Sequence, residues 1–549
     1  MSKVTKFLSI GIDMMKVLPD DDPLSSRDYW KNRRCFTEGR MDKVLTAFEA
    51  WLKESGKEFK PEVKGKTGTV ECHVSPKVSE VRFYPKHGDM KPGDEYVANR
   101  HIDFIRKVTG ENGSLTCDIP EGDYLVKVSK GSEFSYAYTD ITVKAGKTVT
   151  VSAELTHLYD IEKEGYYAGD IHHHSIYSSP VWGGTDDVIE SPKEVADSMR
   201  ALGLKYGALS DHHNILNHEE WKKTETEDFL PIPSKEISTS NGHVLSLGVD
   251  GFDVIYDIPL GEARTESVLR KEFIRMTDEI KEHGGLAQLN HPRDHQVSIS
   301  WNKDFYDMTD IFETMEIWNG SNPMYYGTTN ALAADFWRDL LEQGRFIPAT
   351  SGSDTHNTRA DDYHKLNGLV LWLCEEVRRF LSEDHKEFKE DRHYLEFFMD
   401  MTFRFAPLLE EWAKTSLTSG CVRTYVKLPG KPNRESVLYA LRHGRSFLTN
   451  GPILELSVNG AGMGETAFLK EEGNVVKVRV RSNRPVKKVI LYTSGYEARE
   501  LPLGGEKKEY EAEISNIDLT SKDYIFAVAV SDVTNLAITN PVKIKHLDR

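Results

Sequence analysis

The stretch SPKEVADSMRALGLKYGALSDHH, residues 191–213, decides how the rest of the chain is read. Ser191 is placed to cap a helix, Pro192 takes its first position, and Glu194 completes an S-x-x-E capping box. Val195, Met199 and Leu202 recur at helical spacing, and Gly203 ends the helix. An apolar strand, Tyr206 to Leu209, follows at once, with Asp211 and His212 just past it. A helix leading into a strand that ends on polar, chemistry-bearing residues predicts an α/β fold. Its parallel sheet is either open or closed into a barrel, with the active site where the strand ends converge.

The alternation continues outward. A second helix over about 266–283 stops at Gly284-Gly285 and leads into a strand, Leu286 to Leu289. Further strands are read at Met315 to Trp318 and Phe346 to Ala349. Residues 376–413 read as a charged helical insertion, and Asn433 caps a helix that runs through Leu438 and Leu441 to Gly444. On either side the pattern becomes period-two. Leu115, Cys117 and Ile119 alternate after Asn112-Gly113, and Tyr124, Val126 and Val128 alternate after Glu121-Gly122. Near the other end, Val476, Val478 and Val480 face one way and Lys477, Arg479 and Arg481 the other. The resulting plan is a helical segment at 1–62, a β-sandwich at 63–157, an α/β domain at 158–450 and a C-terminal β-sandwich at 451–549. The first sandwich resembles the prealbumin-like modules attached to enzymes, which implies a structural or positioning role.

Composition narrows the class. Of 549 residues, 39% are hydrophobic and 29% charged, ordinary for a globular protein and not for a disordered one. No apolar run is long enough to span a membrane. The opening MSKVTKFLSIGIDMMKVLPDDD places Asp13 within its apolar run and has no A-x-A-like site, so it is not read as a secretory signal. Five scattered cysteines without a CxxC argue against a disulfide framework or a cysteine zinc site, and a cytoplasmic location is expected. Seventy basic against 87 acidic residues give a net charge of −17, which disfavours extended nucleic-acid binding but leaves room for a local cationic pocket.

Of the 20 histidines, 13 fall between His157 and His364. In GDIHHHS, His172 and His174 are two apart on an extended segment and point to one side, while His173 points to the other. Glu236 and His243 flank a turn in KEISTSNGHV, and His291 ends a strand in LAQLNHP. Asp354 and His356 follow another strand in ATSGSDTH. Imidazole and carboxylate together suit zinc, manganese or iron. One catalytic zinc uses about three protein ligands. The set His172, His174, His212, Glu236, His243, His291, Asp354 and His356 therefore points to two or three ions. His218, His283, His295 and His364 read as hydrogen-bonded structural residues. Arg293, just after His291-Pro292, could clamp an anionic oxygen or make a surface ion pair. Glu316, Trp318 and Asn319 end a strand, so one of them could line the pocket, while Trp318 reads equally as core.

The ordered set DIHHHS, SDHH, KEI…NGH, NHP and GSDTH resembles the polymerase and histidinol phosphatase (PHP) family of metal-dependent hydrolases over roughly residues 158–370. The segment YALRHGRSFLTNGPILELSVNG, 439–460, resembles the carbaryl-hydrolase-like CehA/McbA branch. The resemblance implies a distorted (β/α)7 barrel, TIM-like, holding a di- or trinuclear centre. By position, His172, His174, Glu236 and Asp354 would hold one metal and His212 and His356 a second. Glu236 would bridge to a third, completed by His243 and His291. Asp211 would orient its neighbours. One departure stands out. The family carries an acidic or His ligand soon after the H-x-H, where this chain has Ser179 and Pro180, and Asp186 or Asp187 would have to substitute. Read by default, those two are a solvated turn.

Paired ions ~3.5–4 Å apart lower the pKa of a shared water, giving a hydroxide that attacks phosphorus or a carbonyl carbon. The favoured function is a phosphoesterase acting on a phosphorylated metabolite, a nucleotide or a nucleic-acid 5′ end. The alternatives are a carboxyl or carbamate ester hydrolase, and an inactive chain whose β-sandwiches bind carbohydrate or protein.

Overall fold

A computed structural model of the chain describes residues 47–48, 50–57, 65–86, 91–92, 104–178, 188, 190–258, 263–294, 299–320, 329–356, 372, 375–376, 379–380, 419–515, 517–531 and 535–546. The helical segment expected at 1–62 and the insertion at 376–413 lie largely outside these residues, and Asp186 and Asp187 lie outside them altogether.

Seven strands lie side by side in chain order: β1 (Tyr166–Asp170), β2 (Tyr206–Leu209), β3 (Leu230–Thr239), β4 (Gly242–Leu247), β5 (Leu286–Asn290), β6 (Thr314–Asn319) and β7 (Ala349–Gly352). All neighbouring pairs are parallel except those involving β4, which runs antiparallel to both β3 and β5. The cause is local. Thr239 pairs with Gly242 across the two-residue loop Ser240-Asn241, so the chain turns back as a hairpin instead of crossing over through a helix. The row then closes on itself just past its first and last strands. Asp354 N–H donates to the His172 carbonyl at 2.8 Å, His174 N–H donates to the Thr355 carbonyl at 3.1 Å, and His173 bridges Thr355 in parallel register.

Helices pack outside this ring. The helix α1 (Pro192–Arg200) carries the capping box read from the sequence, with Ser191 Oγ accepting from Glu194 N–H. After the short α2 (His218–Lys222), α3 (Glu266–Glu282) and α4 (Thr329–Glu342) bury Phe273, Met276, Phe336 and Trp337 against Leu289, Met315 and Ile317. The Asn433-capped α5 (Arg434–Arg442) packs Leu438 and Leu441 on Tyr206, Ile232, Leu247 and Leu286. These are the strand termini where the parallel strands begin, so α5 closes one end and the histidines occupy the other. The last strand starts at Ala349 rather than the expected Phe346 because Pro348 has no N–H for a ladder. Trp318 lies in the core.

Before the ring, seven strands between Thr67 and Glu154 form sheets of three and four strands that share one core, including Val70, Cys72, Phe83 and Val126. After it, β8 (Arg423–Lys427) pairs antiparallel with β1, and β9 (Ser446–Thr449) pairs with β8 and with Leu536–Thr539. The C-terminal strands thus extend the central sheet itself, where the sequence suggested a separate unit. A second, four-stranded sheet containing Val476–Val486 packs on them. Among the described residues, no helix is long and apolar enough to cross a membrane.

Asn540 fastens the C-terminal part to the ring. Its side chain accepts from Ala349 N–H at 2.7 Å and donates to the carbonyl of Ala349 at 2.9 Å and to Ser446 Oγ at 2.8 Å, all buried. Asn540→Ala leaves both Ala349 groups unpaired. The expected cost is about 1–3 kcal/mol for each group stranded, seen as a lower unfolding midpoint in denaturant.

Candidate metal centre

The donors gather at the open end of the ring, opposite α5. Glu236, on β3, is 1% exposed and lies at their middle. Its Oε2 is 3.4 Å from His172 Nε2, 3.5 Å from His174 Nε2 and 3.3 Å from His212 Nδ1. Its Oε1 is 3.1 Å from both His243 Nδ1 and His291 Nε2. Asp354 Oδ1 approaches His174 Nε2 at 2.9 Å and His172 Nε2 at 3.2 Å. The His356 ring stacks on His174 with centroids 4.3 Å apart. All eight histidine and carboxylate candidates are therefore brought together.

Each strand end contributes for a local reason. The extended backbone after β1 turns His172 and His174 inward. His173 turns outward, where Nε2 meets Ser419 Oγ at 2.7 Å and Nδ1 donates to the His174 carbonyl. The β3–β4 hairpin sets Glu236 and His243 side by side. His291 and Asp354 leave β5 and β7 with φ of 22° and 49°, left-handed conformations that are costly for such residues and cluster at functional sites.

Several contacts fix which ring nitrogen faces the centre. His174 Nδ1 lies 2.7 Å from Ser178 Oγ, His356 Nδ1 donates to the Asp354 carbonyl at 2.8 Å, and His172 Nδ1 lies 3.0 Å from Glu316 Oε1. In each case Nε2 is left to face the other donors, the arrangement by which outer groups orient metal-binding imidazoles. Asp211 acts at one remove. Its carboxylate accepts from Ser175 N–H, Ser175 Oγ and Ser178 Oγ at 2.6, 2.7 and 2.8 Å, and from the Asn217 amide. It reaches His174 through the Ser178 hydroxyl. Arg293 has no carboxylate partner among the described residues, and its guanidinium lies over the rings of Tyr306 and Phe336, 5.8 and 5.9 Å from their centroids.

Charge follows from this packing. Burial opposes ionisation of Glu236 and Asp354, but the surrounding imidazoles, His172 foremost, hold both carboxyls well below their usual range. Burial pulls His172 down, and Asp354, Glu316 and Glu236 together raise it well above an ordinary imidazole. His174 is pushed down to about 4 by burial and by its neighbours His356 and His212. A neutral imidazole presents the lone pair that metal binding requires.

The donors fit divalent metals. His172 Nε2 is buried with no hydrogen-bond partner, aimed between two carboxylates. Four groups have candidate atoms all within 4.8 Å of one another: His172, His174, Glu236 and Asp354; His174, His212 and His356; Glu236, His243 and His291; and His172, His291 and Glu316. The second group adds His174 to the pair expected from sequence. The sequence singles out Glu316 and Asn319 as strand-end residues of which one could line the pocket, and it does not single out Ser178. The partners of Glu316 and Asn319 come from distant strands.

No protein-family model matches the chain. The uncharacterized protein MJ1587 of Methanocaldococcus jannaschii is 30% identical over 127 residues, which is 22% of this chain and 66% of that protein, just under two thirds of its length. A Bifidobacterium adolescentis structure assigned as a metal-dependent phosphoesterase aligns with 34% of this chain and 87% of its own, at 15% identity and a TM-score of 0.24. An amidohydrolase from Chromobacterium violaceum, with bound sulfate and no metal, aligns over the same shares at 16% identity and a TM-score of 0.24. Likenesses at such scores carry no argument about function; the donor geometry does.

His173→Ala and His174→Ala separate the two faces of the segment. The His174 variant removes a donor common to two groups and should lose bound metal, counted by elemental analysis after dialysis against Mn²⁺ or Zn²⁺. The His173 variant should keep its metal and lose about 1–3 kcal/mol of stability, since the Ser419 hydroxyl, which accepts from Ser198, loses the ring nitrogen that takes its proton. Equal metal loss in both would contradict the inward and outward assignment.

Proposed function

We propose that the chain is a metal-dependent hydrolase of the PHP type, with phosphate esters as its substrate class. The observation that carries this is the buried carboxylate of Glu236 among five imidazoles drawn from four strand ends of one ring. The accompanying fold reading is a distorted seven-stranded barrel flanked by β-sandwiches. The closure between the His172–His174 and Asp354–Thr355 segments supports it, and the reversed β4 accounts for the distortion.

His172, His174, Glu236 and Asp354 would hold one ion, His174, His212 and His356 a second, and Glu236, His243 and His291 a third. Bound there, divalent ions supply Lewis acidity and an activated water. The chain's own residues do the rest. Glu236 joins the ligand groups through its two oxygens, and Asp354 sets the position of His172 and His174. Asp211, through Ser178, keeps the His174 proton on Nδ1. Arg293, two residues past His291, is the candidate cation for an anionic substrate oxygen; at rest its guanidinium lies over Tyr306 and Phe336.

Hydrolysis of chromogenic phosphate mono- and diesters, run beside carboxyl esters, tests the substrate class. Phosphate turnover that a chelator abolishes and Mn²⁺ or Zn²⁺ restores is the expected result, and turnover of carboxyl esters alone would reverse the assignment. Asp354→Asn should lower the rate at least ~100-fold, because even outer-shell changes cost ~10–100-fold in affinity or activity. Unchanged circular dichroism would show that the fold survives.

A further inference from the structure

The Glu316 carboxylate lies fully buried behind the centre, on β6. It belongs to the fourth donor group, with His172 and His291. Its hydrogen bonds argue that it does not ligate. Oε2 accepts from His291 N–H at 3.0 Å and from the Asn319 side-chain amide at 3.1 Å. Oε1 faces His172 Nδ1 at 3.0 Å. Oε2 already takes two donors and Oε1 faces His172 Nδ1, so Glu316 is placed to accept there and to leave Nε2 for a metal.

The same Asn319 amide donates to Asp354 Oδ2 at 3.0 Å. Asn319 is itself fixed by Asn330 of α4, which accepts from its backbone N–H at 2.8 Å and donates to its carbonyl at 2.9 Å. Space for the carboxylate comes from Gly352. A Cβ there would fall 2.7 Å from Glu316 Oε1 and 2.2 Å from the His172 Cβ.

We propose that Glu316 and Asn319 are positioning residues that hold three ligands from three strand ends in register. They fix the tautomer of His172, the backbone of His291 and the carboxylate of Asp354. Two of those three, His291 and Asp354, have left-handed backbones that need such a tether. This role presupposes the metal centre proposed for the same residues.

Glu316→Gln tests it. An amide offers one oxygen where the site needs two acceptors, so either His172 takes the wrong tautomer or the donors on Oε2 face an NH₂ group. With Co²⁺ as the probe, Glu316→Gln and Asn319→Ala should each bind one equivalent ~10–100-fold more weakly and shift the visible absorption of the bound ion. Trp318→Phe, on the same strand but with its ring in the core, controls for packing and should change neither readout. Co²⁺ affinity within twofold of the unmodified protein in both variants, or an equal loss in Trp318→Phe, overturns the proposal. If Glu316→Gln does not fold, Asn319→Ala decides by the same criterion. His172→Ala separates the two levels. If it loses an equivalent while Glu316→Gln does not, only this inference fails. If it keeps every equivalent, the centre itself has been misplaced and both fail.

Discussion

An ionised carboxylate with almost no access to water, Glu236, is the constraint around which this molecule is arranged. Burying such a charge is costly unless partners surround it. The chain supplies five imidazole nitrogens between 3.1 and 3.5 Å from its two oxygens. They come from the ends of β1, β2, β4 and β5, so no single hairpin or helix–strand unit could satisfy Glu236. Only a sheet that brings those ends to one place does so.

Closure of the ring supplies that geometry. The bonds from Asp354 N–H to His172 and from His174 N–H to Thr355 place first and last strand ends together, and with them Asp354 and His356 beside His174. The flanking sheets lean on the same joint. His173 meets Ser419, which meets Ser198 of α1, which accepts from Arg106, which is paired with Glu80 in the N-terminal sheets. A continuous polar line thus runs from that module to the residue between two of the candidate ligands. On the other side, Asn540 ties Ala349 of β7 to the C-terminal strands, and Ser351 N–H donates to Thr424 Oγ1 of β8. The ring is held from both flanks.

What could be read from sequence was what local chemistry writes. The Ser191–Glu194 box, the Asn433 cap and the period-two placement of His172 and His174 each depend on residues within a few positions. The inward groups could be named because so many strand ends carried His or Asp. Strand direction is not written in apolar alternation, so the reversal of β4 was missed. The two-residue loop before Gly242 was the available sign of it. The joining of the C-terminal strands to the central sheet depends on pairings such as Phe447 with Thr539, which no local pattern encodes. Glu316 escapes a local reading for the same reason: a carboxylate orients an imidazole only once one arrives, and His172 lies 144 positions away. Ser178 is four positions from His174, but its hydroxyl is directed by Asp211, 33 positions on.

Backbone strain at the rim follows from the same demand. Extended backbone suffices to aim His172 and His174 after β1, but three other strand ends leave regular extension. His213, His291 and Asp354, past β2, β5 and β7, all take positive φ, at 61°, 22° and 49°. Each such conformation costs roughly 1–3 kcal/mol and persists only where surrounding contacts over-determine it. Those contacts are visible at all three. His213 N–H donates to the Glu236 carbonyl, His291 N–H to Glu316, and Asp354 N–H to the His172 carbonyl. The turns that aim side chains at the centre are therefore secured by backbone hydrogen bonds to the adjoining strand ends. Moving any one strand would disturb both the aim of its own donor and the hold on its neighbour's. That mutual dependence explains why the donors of six separate strands can occupy so small a volume with their polar atoms in order.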